Sequence, residues 1–360
     1  MRGRLPEQTG STDQPARDLL LLRGELVERI HGPLAGALAG IQQTGPTPPA
    51  PYHPRMGADD GYFPRGRSVL RQVHEERLVG VFYGQRALCV GALAPLNYVG
   101  TNEHTAAKAT PFKRLAHTAR WFEAIMLGSR AEADEVLAAV HKMHTRVHGT
   151  LPRQVGPHPA GTPYDAFDGE LMLWTVAVMM DSAECFYDLF VRRLSNDERE
   201  ALWRDYISFA VLFGMPRDAA PETYPEFRAY YDGFLASTNA WLTDAAHYTG
   251  HAIAFEIPMA AHAQPFKRLH DLIMRGSLPP RVRSMYQLRW TPAHAVAFTT
   301  TVHALRGARR AMPQSVAHGR NTRLFDEVAQ TEAWRIAHGH PTVELPIDSS
   351  TSTAATRRTR

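Results

Sequence analysis

Cysteine is nearly absent from this 360-residue chain: Cys89 and Cys185 are the only two, each among apolar residues and with no CxxC or CxxCH spacing. A secreted disulfide framework is thereby excluded, and a reducing compartment is expected. Lysine is also scarce, with four residues (Lys108, Lys113, Lys142, Lys267), so the net charge of +4 rests on 36 arginines spread along the chain. The one short basic run, Arg357-Arg358-Thr359-Arg360, ends a Ser/Thr-rich tail and gives no nucleic-acid groove. Long hydrophobic runs are lacking too: Met1 to Ala16 holds no apolar signal core, and Leu19 to Leu22 is far too short to span a bilayer. The expectation is a cytoplasmic protein with no transmembrane segment. No GxGxxG, Walker A or GxSxG pattern occurs in its proper context, which removes most support for nucleotide-dependent and serine-hydrolase chemistry.

What is present is 44% hydrophobic and 21% charged residues, enough to bury a sizeable core and too apolar for general disorder. Apolar residues recur at helical spacing over about 16–30, 34–41, 68–72 onward, 85–94, 112–127, 130–148, 169–194, 196–213, 225–242, 265–274, 280–287 and 292–311. Several of these segments open on proline (Pro111, Pro225, Pro265, Pro280, Pro292), where the missing N–H leaves no helix bond unmade. The pattern predicts an all-α fold. It divides into a helical extension (1–43), a Pro/Gly-rich loop (44–67), one large helical domain (68–339) and a disordered tail (340–360).

Three histidines, His141, His144 and His148, fall within about 60° of arc on the segment predicted as helix 130–148. The apolar face there is Val136, Val140, Met143 and Val147, and His144 lies nearest to it. A neutral imidazole aimed at an apolar pocket either packs as a satisfied core histidine or takes an axial position on iron. On the preceding segment Arg114, Thr118, Trp121 and Ile125 share one stripe about 60° wide, so an arginine and a threonine interrupt a core face. Such an arginine needs a partner, either a protein carboxylate or the carboxylate of a bound cofactor. His117 lies about 60° from Arg114.

His247 and His251 have the i, i+4 spacing that presents two imidazoles to one metal, but Tyr248 stands where HExxH would carry glutamate. A non-haem metal site there needs a third ligand from elsewhere. Asp181 and Glu184 sit among Met172, Trp174, Met179, Met180 and Phe186, a stripe that reads as core or as the wall of an apolar pocket.

The order of these elements resembles the catalytic domain shared by the rubber oxygenases (latex-clearing proteins) and the membrane-associated oxygenase of mycophenolic acid biosynthesis, a family of helical b-type haem proteins. The similarity runs from Gly84-Gln85-Arg86-Ala87-Leu88 through Pro95, Gly100 and His104 to Pro111, Arg114-Leu115 and Thr118. It continues at His144-Thr145-Arg146-Val147-His148-Gly149, at Tyr164, Ala166, Asp168, Leu171 and Trp174, and at Gly214-Met215-Pro216. It ends with Pro225 to Tyr230 and Leu278-Pro279-Pro280 through Arg283 and Tyr286.

The resemblance implies a single helical domain with a globin-like haem-binding core and one non-covalent haem b. It places the proximal ligand at His144, with Arg114 and Thr118 near the haem and His148 as a further cofactor contact. His117 stands where relatives carry a distal lysine, and so either ligates iron, acts as acid or base, or points away. Val176 replaces a histidine found in many relatives, and Glu103 is the nearest acid to the family's catalytic glutamate but out of register. The implied activity is an O2-dependent oxygenase or oxidase acting on a small apolar or semi-polar metabolite, by cleavage, hydroxylation or dehydrogenation. The alternatives are a non-haem metalloenzyme built on His247 and His251, or a non-catalytic helical binding protein.

Overall fold

A computed structural model describes residues 61–104, 109–260 and 263–346. The chain divides into two units, Met1–Arg55 and Met56–Arg360, and every described residue belongs to the second. The helices predicted at 16–30 and 34–41, most of the 44–67 loop and most of the tail lie outside the described residues.

The fold is all-α. In chain order the helices are α1 (Val69–His74), α2 (Arg77–Gly91), α3 (Pro95–Glu103), α4 (Pro111–Leu127), α5 (Arg130–His144), α6 (Gly169–Phe190), α7 (Asn196–Leu212), α8 (Tyr224–Ala236), α9 (Asp244–Phe255), α10 (Gln264–Ser277), α11 (Pro280–Met285), α12 (Pro292–Ala311), α13 (Gln314–Ala317) and α14 (Thr322–Ala337). Two three-residue strands, β1 (His148–Thr150) and β2 (Pro163–Asp165), pair antiparallel with Gly149 opposite Tyr164.

Local chemistry sets many of these boundaries. Ser129, Asp168 and Thr243 accept hydrogen bonds from first-turn N–H groups of α5, α6 and α9. Ser195 with Glu198 and Thr223 with Glu226 form reciprocal capping boxes on α7 and α8. The predicted helix 130–148 ends four residues early, at His144, because the chain turns at Thr145 and enters β1. His148 is therefore on a strand, not on the helical face with His141 and His144.

The core centres on α6, which packs along α2 and is buried on nearly all sides. Its Trp174 ring stacks on Tyr231 and meets Phe234 at 3.9 Å, while its Nε1 donates to the Gly91 carbonyl. The methionine and aromatic stripe is thus core. Asp181 and Glu184 are buried acids with basic partners: Arg86 and Arg228 for the first, Arg199 for the second. No single described helix is long and apolar enough to cross a membrane; α2 and α3 pass that test only as a pair bent by 110°. Beside this core, α4 lies between α5 and α14.

Candidate functional site

The α4–α5 hairpin brings Arg114 and His144 to one end of the domain. Arg114 precedes the Gly128–Ser129 turn by 14 residues and His144 follows it by 15. At about 1.5 Å per residue, both lie roughly 20 Å from the turn, at the open end of the hairpin.

Arg114 is half-buried and forms an ion pair with no Asp or Glu among the described residues. Burial pulls its pKa below the ordinary arginine range, and the Tyr98 phenol opposes this only in part. Tyr98, from α3, is itself held by the Ala245 carbonyl at 2.9 Å and by Thr249 Oγ1 at 2.8 Å. A desolvated guanidinium without an acid is costly unless another anion meets it. Thr118 follows one turn later on the same stripe, also half-buried.

His144 is half-buried, and its Nδ1 is enclosed with no hydrogen-bond partner. Its ring stands edge-on to Phe167 at 5.9 Å and tilted over Phe213 at 6.4 Å. Burial, with the neighbouring His141, lowers its pKa, so the imidazole is neutral at pH 7. His141 packs on the same Phe167 ring at 4.8 Å. Gly214 makes this wall possible: its φ is +99°, and a Cβ there would sit 3.1 Å from Phe167 and 3.5 Å from His141.

The other expected site residues lie elsewhere. His117 is exposed, its ring against Trp121 at 4.3 Å, on the outer side of α4. His148 is exposed at the start of β1. Met143, assigned to the apolar face of α5, is 45% exposed, whereas Ala133 and Val140 form the buried side of that helix. Glu103 closes α3, and its side chain lies outside the described residues.

His247 and His251 do share a face of α9, with rings parallel at 6.4 Å. His247 stacks on Tyr286, and His251 Nδ1 is 3.3 Å from the Glu256 carboxylate. Among the described residues no three His, Cys, Asp or Glu side chains cluster as metal ligands, so the third ligand that this alternative needs is not supplied there.

The sequence reading missed Tyr98, Phe167 and Phe213 as neighbours of the site. Phe167 sits between Ala166 and Asp168 of the family-like segment, which was the available signal.

The domain family described as "ER-bound oxygenase mpaB/B'/Rubber oxygenase, catalytic domain" matches residues 71–307, a stretch that contains Arg114, Thr118 and His144. An uncharacterized protein of Mycobacterium bovis and one of Mycobacterium tuberculosis are each 27% identical over 212 residues, covering 56% of this chain and 76% of theirs. No solved structure matches the chain. With most of its helices inside the matched stretch, this chain belongs to the mpaB/rubber oxygenase catalytic-domain family.

Proposed function

We propose that this protein is a haem b-dependent oxygenase or oxidase acting with O2 on a small apolar or semi-polar metabolite, by oxidative cleavage, hydroxylation or dehydrogenation. The observation that carries the reading is a pair of groups at the open end of one hairpin: a neutral imidazole at His144 whose Nδ1 has no hydrogen-bond partner, and a guanidinium at Arg114 with no acid partner, both among the described residues. An iron porphyrin satisfies both, since iron accepts a neutral imidazole nitrogen and a propionate accepts the guanidinium fork. The residues present therefore fit the group.

When bound, haem supplies the iron at which O2 is activated. The chain's own contribution is to hold and screen it. His144 would hold the iron, kept neutral by burial, with Phe167 and Phe213 packed against its ring. Arg114 binds the carboxylate edge, and Thr118 adds a hydroxyl on the same stripe. His148, exposed on β1, is the weaker cofactor contact, and His117, lying against Trp121, takes no part in this reading.

The test is an absorption spectrum and a pyridine haemochrome assay on protein produced with ample iron and porphyrin precursor. A Soret band and a b-type haemochrome at about one haem per chain support the proposal. Colourless protein that takes up no added haemin contradicts it.

A further inference from the structure

Helix α4 opens without a cap of its own. Its N-cap residue Thr110 makes no side-chain cap bond, and Pro111 contributes no N–H. The first-turn donors go instead to a residue more than 200 positions away. Glu332 of α14, 1% exposed, accepts from Phe112 N at 3.1 Å through Oε1 and from Lys113 N at 2.8 Å through Oε2. The relation is reciprocal. Asn321, at the start of α14, makes no side-chain cap bond either, and Glu123 of α4 accepts from Asn321 N and from Thr322 Oγ1. Arg120 and Asp326 pair between these two ends. The helices thus cap each other, antiparallel, and α14 lies wholly beyond the family-matched stretch that ends at residue 307.

Arg114 is the next residue after the two N–H groups that Glu332 holds, and its own N–H closes the first turn onto the Thr110 carbonyl at 3.2 Å. We infer that Glu332 is a positioning residue for Arg114: by capping α4 from outside, it fixes the turn that aims the guanidinium, which makes α14 part of the site. This rests on the reading above that Arg114 lines the cofactor site. Without Glu332 the Phe112 and Lys113 donors lose their partners and the first turn frays, while the rest of α4 remains packed against α5 and α14.

The experiment compares wild type, Glu332→Ala, and Glu332→Ala combined with Thr110→Asp, which places a local cap on the same turn. Hydrogen exchange over residues 112–118 is expected to speed up about tenfold in the single variant, with residues 324–331 still protected, and to slow again in the double variant. Haemin affinity is expected to weaken about tenfold and to recover likewise. Unchanged exchange at 112–118 overturns the inference. So does loss of α14 protection that the Thr110→Asp cap leaves unrepaired, because Glu332 would then serve only helix docking. If wild type takes up no haemin, the haem reading fails on its own, and exchange with its rescue still decides whether Glu332 sets the turn of Arg114.

Discussion

Arg86 and Asp181 form a buried ion pair, with Nη1 2.7 Å from Oδ2, that ties α2 to α6 at the centre of the domain. Asp181 also accepts from Arg228 and from the Tyr231 hydroxyl at 2.7 Å, and Arg86 Nε reaches the Ser277 carbonyl. Burial pushes the Asp181 carboxyl up, but the two guanidinium groups outweigh it and hold the pKa below the ordinary range. Removing one member strands buried charge. Asp181→Asn is expected to destabilise by about 3–5 kcal/mol, a fall in Tm on the order of 10 °C by calorimetry. The double change Arg86→Met with Asp181→Leu is expected to lose much less than the sum of the single changes.

His74 gives the domain an acid-sensitive element. Its Nε2 lies 2.6 Å from the Tyr206 hydroxyl, its ring stands edge-on to Tyr83, and burial lowers its pKa from 6.5 to about 3. With a folded pKa below the unfolded one, the unfolded chain binds the extra proton between these values. The stability contributed by His74 is therefore full above pH 6.5 and is lost as pH falls toward 3, with a slope of up to about 1.4 kcal/mol per pH unit. Chemical denaturation at pH 7, 5.5 and 4.5 should show this decline, and His74→Gln should flatten it. An equal slope in the variant assigns the acid sensitivity to other groups.

Arg114 separates cofactor binding from stability. Since burial disfavours its charge and no acid among the described residues offsets it, Arg114→Met is expected to leave the Tm of cofactor-free protein unchanged or slightly raised. The same variant is expected to bind haemin about tenfold more weakly, the scale of one lost charge-assisted bond. Haemin titration followed by absorbance checks the second effect and calorimetry the first. A large loss of Tm with unchanged haemin affinity would mark Arg114 as a structural residue.

Much of this was legible in the sequence where one helix carries its own signal. Pro111 and the stripe of Arg114, Thr118 and Ile125 placed α4, and α12 spans the predicted 292–311. The histidine spacing singled out His144 as the imidazole nearest the apolar side of α5, and it is the one of the three that is not exposed. Four helices were missed, one of them the four-residue α13. Helix α3 has a small hydrophobic stripe that shows only once it packs beneath α9, α9 follows the loop at Ser237–Leu242, and α14 is polar on most faces. Their stability comes from partners distant in the chain, as with Glu332 and Phe112, and periodicity within one segment does not register such contacts. His148 was misplaced for a related reason: Thr145 ends α5 so that Gly149 can pair with Tyr164, 15 residues later.

The most direct measurement is haem retention by His144→Ala beside wild type, read from the Soret band per chain and from the pyridine haemochrome. Wild type is expected to hold about one haem b per chain, and the variant to lose most of it or show a displaced Soret band, with far-ultraviolet circular dichroism unchanged. A variant that keeps a full complement of haem and an identical Soret band would remove His144 from the iron and with it the proposed site.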